Sequence, residues 1–407
     1  MKVLTTASLL FFLFPFPGPR VPLVSSWLGS SSSSSVTSRV PQFVLDTGHP
    51  WLTTHAHELS SLPDVTTFIY TLSADDNYYQ DGVADGDESA NVREGLEVPA
   101  DLFHQLEINN HRAGVSRYGW KNVRNKLEEI KACPRALAEV GDLTVELRWQ
   151  TLSDTWDHAG ARSTPLPKPV PALFSEVMGK MKNLSTIDWL IRGADENTAI
   201  GKFFIEDGTR LPGVKHLVTS MNAPWLVDAC PSLTSLEATR DGFVWGEEGS
   251  RLIKNSIVIV QYAPHTEELH IGVPMRLIRI GRFPGDELWD LAESLSLLSN
   301  LTRLYLPRAA KLDLGSPGGP ECDNAHMSER GAEYWRSDMV CDLAATELAG
   351  KIVRKKFPRL KGVHVGAFHG NFTTGAGGEE VIIWDWTGRV EQWLDEKLMA
   401  FGSADEL

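Results

Sequence analysis

The sequence predicts an α/β stack of repeated helix-then-strand units rather than one closed globule. Three observations carry that expectation. A phrase of the form Leu-x-x-Leu-x-Leu recurs in degenerate versions: Asn183-Leu184-x-x-Ile187, Gly213-Val214-x-x-Leu217, Cys230-Pro231-x-Leu233-x-x-Leu236, Leu269-x-Ile271, Asn300-Leu301-x-x-Leu304-x-Leu306 and Phe357-Pro358-x-Leu360-x-x-Val363-x-Val365. Units this short cannot bury their own apolar faces, so each needs a stacked neighbour. Amphipathic helical stretches precede several of these phrases. The 407 residues also exceed the size at which one core stops growing, about 250–300 residues.

The elements follow in order. Residues 118–131 place Trp120, Val123, Leu127 and Ile130 three to four apart, the spacing of one helix face, and residues 143–149 then alternate as a strand does. Helix then strand returns in 172–181, with Leu173, Phe174, Val177, Met178 and Met181 as the stripe, before 186–191. It returns in 286–298 (Leu288, Leu291, Leu295, Leu298) before 303–306, and in 340–356 before 362–365. A strand at 381–386 and a helix at 388–399 close the array. Unit spacing is uneven, and 154–171 and 315–331 read as insertions. The acidic, Gly-rich stretch 75–88 reads as a solvated loop. A calcium loop starting at Asp81 fails, because Val83 falls at a ligand position and no Glu closes the loop.

Composition sets limits on partners. Hydrophobic residues at 42% and charged ones at 23% are those of a folded chain, so a packed body is expected. The formal charge of −14 argues against nucleic acid, whose binding relies on a Lys/Arg-rich face. Residues 7–16, after Met1-Lys2, form an apolar run too short and too proline-broken to span a bilayer, and resemble a secretory signal peptide. A leader without that role or a misassigned start are the alternatives. No other stretch reaches the length of a membrane span.

The expected organisation is a signal peptide at 1–26, a Ser/Pro-rich disordered linker at 27–61, a repeat domain at 62–399 and a tail at 400–407. The serine run from Ser30 to Ser35, with Pro41 and Pro50 after it, suggests the linker. The tail Ala404-Asp405-Glu406-Leu407 resembles the Lys/His-Asp-Glu-Leu signal that returns proteins to the endoplasmic reticulum, with Ala in place of the basic residue. A retrieval receptor is then an expected partner. The expected location is the endoplasmic reticulum lumen or the exterior.

Such a compartment gives meaning to three Asn-x-Ser/Thr sequons, at Asn183, Asn300 and Asn371. Asn371, in the Gly-rich stretch 366–378, is expected to be the most exposed. Cys133 and Cys230, each before a proline, read as buried unpaired thiols. Cys322 and Cys341 are close enough in sequence for a disulfide, with the other connectivities left open.

The repeated segments resemble leucine-rich repeat proteins, specifically the irregular repeats with a Cys-Pro-x-Leu-x-x-Leu opening found beside F-box domains in fungal-type proteins. The resemblance covers 62–399, although the family's Asn ladder after the strand is missing from nearly every unit. It implies an irregular solenoid, or horseshoe, with parallel strands on the concave face and helices on the convex face.

Parity within the phrase separates core from surface. Its leucines enter the stack, each contributing about 1.5–3 kcal/mol when buried, and the residue between the last two points outward. That rule selects Asp188, Val218, Glu237, His270, Tyr305 and His364, with His216, Glu268 and Arg303 one row away. Solvated strand residues are the plainer reading of any one of them. As a set they are the expected partner-binding face.

No catalytic constellation emerges. Asp46-Thr47-Gly48 matches an aspartic peptidase loop, but that chemistry needs two carboxylates and no second copy exists. His55-x-His57-Glu58 could suggest a metal, but two histidines two apart point the same way only on a strand and no third ligand is evident, so they read as surface histidines. The glycine clusters at 315–319 and 375–378 lack the strand-turn-helix frame and lysine of a phosphate loop. The expected function is therefore a non-enzymatic repeat protein holding a protein partner, with no cofactor and no metal. A cytosolic F-box adaptor is the alternative, although Leu62-Pro63 leads into a strand-like run instead of the F-box helices. A hydrolase stands third.

Overall fold

The computed structural model describes residues 44, 49–61, 99, 101–109, 120–147, 166–191, 194–220, 223–239, 259–271, 285–312, 314, 330–375, 377–378 and 380–404. Two short helices, α1 (Pro50–Thr54) and α2 (Ala56–Ser61), come first, followed by β1 (Gln105–Asn109), α3 (Trp120–Lys131), α4 (Pro134–Glu139) and β2 (Asp142–Leu147). Next are α5 (Pro169–Lys180), β3 (Thr186–Ile191), α6 (Ala194–Glu206), β4 (His216–Ser220), α7 (Pro224–Ala229), β5 (Ser235–Thr239) and β6 (Glu268–Ile271). The order ends with α8 (Asp286–Leu295), β7 (Arg303–Leu306), α9 (Gly331–Lys356), β8 (Gly362–Val365), β9 (Phe368–Thr374), β10 (Glu380–Trp384) and α10 (Val390–Ala404).

The strands form one open sheet in chain order, β1 to β10. β1 to β8 pair in parallel, whereas β9 and β10 are antiparallel additions. The fold is thus mixed α/β with a mostly parallel sheet, as the alternation of helical and strand periods predicts. Parallel neighbours that follow one another in sequence need crossovers, and here the helices supply most of them. α3 packs on α5, α5 on α6, α6 on α7, α8 on α9 and α9 on α10.

Register explains which sheet face the helices cover. Leu106, Leu143, Ile187, Leu217, Leu236, Leu269, Leu304 and Val363 are aligned across β1 to β8, and all are buried. A second buried row runs through Ile108, Val145, Trp189, Thr219, Ala238 and Ile271. The intervening residues are half-buried, so one face meets the helices and the other meets solvent. These are the apolar positions of the recurring phrase.

Individual units show the local causes. Trp120, Val123, Leu127 and Ile130 line the buried side of α3, and Leu173, Phe174, Val177 and Met178 that of α5. Pro opens α4, α5 and α7 at a position where its missing N–H leaves no bond unmade. Cys133 caps the start of α4, but Cys230 and Phe357 cap the ends of α7 and α9, with their prolines in the turn toward the next strand. Both cysteines are free, buried thiols. Burial raises both, Cys230 to about 12, so neither is a reactive thiolate. Cys341, half-buried on α9, is also free, and its expected partner Cys322 lies outside the described residues.

Several expectations need correction. The linker reading of 27–61 fails over 50–61, because α1 and α2 form there and Val44, Leu52 and Leu59 join the common core. Pro50 at the helix start and the His49 ring, which accepts from the Trp51 N–H at 3.2 Å, nucleate α1. The final strand is antiparallel and ends at Trp384, and the Gly-rich stretch before it contains β9. The insertion at 154–171 overlaps α5, which begins at Pro169. The serine run, the loop 75–88, the Asp46-Thr47-Gly48 sequence and Leu62-Pro63 lie outside the described residues.

Candidate functional site

The outward row predicted from parity is a line in register. Asp188 on β3 lies beside Val218, then Glu237, His270, Tyr305 and His364 on the five strands that follow. The antiparallel pairing of β8 and β9 adds His369 directly opposite His364. Glu107 and Thr144 extend the row toward β1. Adjacent strands are about 4.8 Å apart, so side chains along this row touch their neighbours.

At the β6–β9 end the row becomes a stack of rings. His270 lies on Tyr305 at 3.6 Å between centroids and 8° between planes, Tyr305 on His364 at 4.1 Å and 11°, and His364 on His369 at 4.3 Å and 12°. Planar side chains directly opposite one another on neighbouring strands are close enough to stack, and here four do so in sequence, three on parallel strands and His369 across the antiparallel β8–β9 pair.

The adjacent row holds the stack in place. It runs Thr186, His216, Ser235, Glu268, Arg303, Gly362 and Asn371 across β3 to β9. The Glu268 carboxylate pairs with His270 Nε2 at 3.0 Å and with Arg303 Nη1 at 3.8 Å, and it accepts from the Tyr305 hydroxyl. Burial pushes the Glu268 carboxyl up, but the His270 and Tyr305 hydrogen bonds and the Arg303 charge outweigh it and hold the group below its ordinary value. Burial, then the bond to Glu268, raises the Tyr305 hydroxyl. Tyr305 therefore remains a neutral donor. His216 is exposed and its row neighbour Ser235 separates it from Glu268.

The β1–β5 end is acidic. Its outward positions include Glu107, Asp142, Glu146, Asp188 and Glu237, and no Lys or Arg. Burial, then the negative charge of Glu237, pushes the Asp188 carboxyl up. Its Oδ1 is shielded from solvent and receives no hydrogen bond. Such an oxygen gains from any donor that a ligand brings.

The predicted residues Asp188, Glu237, His270, Tyr305 and His364 are thus brought into one line, with Arg303 tied in through Glu268. His369 was missed because its strand sits in a Gly-rich stretch. The alternation Phe368, Gly370, Phe372 carried a period-2 signal there.

The remaining predicted sites are dispersed. Asn183 is exposed in the turn before β3, and its amide donates to Ala138 O at 2.7 Å. Asn300 is exposed before β7. Asn371 is exposed but sits within β9, opposite Gly362, rather than in a loop. Ala404 ends α10, and Asp405, Glu406 and Leu407 lie outside the described residues. The His55 ring packs against Trp51 and its Nδ1 lies 3.0 Å from Trp51 O. Among the described residues no metal-binding cluster is found and no helix is long and apolar enough to cross a membrane. No family model matches the chain, and no curated protein does so either.

Proposed function

We propose that the outward rows of β3 to β8 hold a protein partner and that the molecule works as a non-enzymatic binding protein of the leucine-rich repeat kind. In this reading the sheet is the concave face of an irregular horseshoe and the helices are its convex side. One observation carries the proposal: the row from Asp188 to His364, polar or aromatic at every position but Val218, is in register on six adjacent strands and remains open to solvent on one side. A row fixed by backbone hydrogen bonds is preorganised, so little ordering cost accompanies binding. Tyr and Arg are also residue types that anchor protein interfaces. In the same reading the molecule operates in the endoplasmic reticulum lumen or beyond it, where a retrieval receptor is a further partner.

Proximity labelling from the intact chain tests partner and compartment together. A reproducible set of lumenal or secreted proteins is expected, and a purely cytosolic set would overturn the location. The double variant Glu237→Lys, His270→Glu should lose about tenfold or more of the labelled partner, since an altered charge at a buried interface commonly costs 2–5 kcal/mol. Its unfolding should stay cooperative, with a lower midpoint because His270→Glu removes the pair with Glu268 and sets two carboxylates side by side. Undiminished labelling would sink the binding-face assignment.

A further inference from the structure

The four stacked rings carry an implication beyond partner binding. Three of them are histidines, whose charge changes near neutrality, and they are packed ring on ring. We propose that His270, Tyr305, His364 and His369 form a proton-sensitive latch that joins β9 and β10 to the parallel sheet and opens on acidification. As regulation of the partner face, the latch rests on the reading of that face given above. The opening itself needs no partner.

The groups facing His364 come from each neighbouring element. They are Tyr305 and Arg303 from β7, Glu268 and His270 from β6, His369 from β9 and Asp385 just past β10. α9 packs against β8 as well, on the helical side of the sheet. A proton on His364 is opposed by burial and by the His369 and His270 rings, and Glu268 and Asp385 give only partial relief. A second proton on the adjoining ring places like charges 4.3 Å apart. The closed stack therefore disfavours the protonated form of His364.

The sign of the pH dependence follows. Burial, then the charges of His369 and His270, lower His364 from its ordinary value of 6.5, and Glu268 and Asp385 only partly oppose this. A histidine lowered in the closed form favours closure fully above pH 6.5, and that contribution is lost as pH falls through the lowered value. Each withheld proton shifts the balance toward the open form by up to about tenfold per pH unit within that window. The strands best placed to yield are β9 and β10, because β10 pairs only with β9 among the described strands and His364 and His369 face each other across β8–β9. Opening there uncovers His364, the β8 end of the partner face, by removing His369 from it.

Amide hydrogen exchange on the full chain at pH 7.5 and 5.5, corrected for intrinsic rates, tests the latch. Protection in β9 and β10 should fall about fivefold or more at the lower pH, while β2 and β3 change less than about twofold. His364→Phe keeps a ring in the stack without a titrating group and should abolish most of the difference. His369→Phe provides the same test should the first variant fold poorly. Equal loss in wild type and in both ring-preserving variants would overturn the proposal, as would unchanged protection in wild type. Partner capture at the two pH values is a separate readout. If capture fails at both while the exchange difference persists, the partner reading falls and the latch stands.

Discussion

Buried polar atoms that have partners mark where single residues matter most in this chain. The Trp189 indole N–H donates to Asn197 Oδ1 at 2.7 Å, and the Asn197 amide donates to the Ile191 carbonyl at 2.8 Å. Trp189 and Asn197 are both 0% exposed. Asn197 thus ties the end of β3 to the start of α6 and satisfies two groups at once. Replacing it with Leu keeps the branching and heavy-atom count of the side chain but leaves the Trp189 indole donor in the core without its acceptor. The expected loss is about 1–3 kcal/mol, the cost of one orphaned buried donor. Urea denaturation measures it, and a loss below about 0.5 kcal/mol would show that water or rearrangement satisfies the indole. The Asp188 Oδ1 is the contrasting case, since its shielded oxygen has no partner and faces the row where a ligand would lie.

Whole elements were legible where periodicity was strong and hidden where glycine interrupted it. β3, β7 and β8 match the boundaries that the recurring phrase predicts, because period-2 burial forces its leucines to one face. The row Asp188, Glu237, His270, Tyr305 and His364 was legible for the same reason, and its alignment was not, because register between strands is set by the connections. α6 escaped prediction. Its Gly201 reads as a helix breaker at about 1 kcal/mol relative to Ala, yet the fold requires it: a Cβ there would lie 2.3 Å from Trp225 Cδ1 and 2.5 Å from Cγ. Trp225 has little room to withdraw, since it packs edge-on against Trp189 at 5.6 Å and against Phe204 at 4.7 Å. Gly201→Ala should therefore destabilise by about 1–3 kcal/mol despite its better helix propensity. A thermal midpoint equal to or above that of wild type would show that α6 and α7 can separate without cost.

The molecule as a whole is a row of neighbours, and this governs how it comes apart. Strand order equals chain order, so each strand is bonded only to the strands beside it and stability passes along the sheet step by step. The steps are unequal. β2 and β3 share six registered pairs, Asp142↔Thr186 through Leu147↔Ile191, whereas β6 and β7 share three, Glu268↔Arg303 through His270↔Tyr305. β6 is also only four residues long, and Leu269 is its completely buried anchor, aligned between Leu236 and Leu304. Leu269→Ala should cost about 2–5 kcal/mol by leaving a cavity at this seam. If the sheet is quasi-one-dimensional, that loss is local: hydrogen-exchange protection should drop first in β5 to β7, while β2 and β3 keep most of theirs. A single cooperative globule predicts the opposite, an equal drop in every strand. The seam also runs beneath the first pair of stacked rings, His270 on Tyr305, and Glu268 bridges it through Arg303. Weakening Leu269 should therefore loosen the ring stack before it disturbs Asp188 and Glu237, and exchange in β7 and β8 compared with β3 and β4 measures that order.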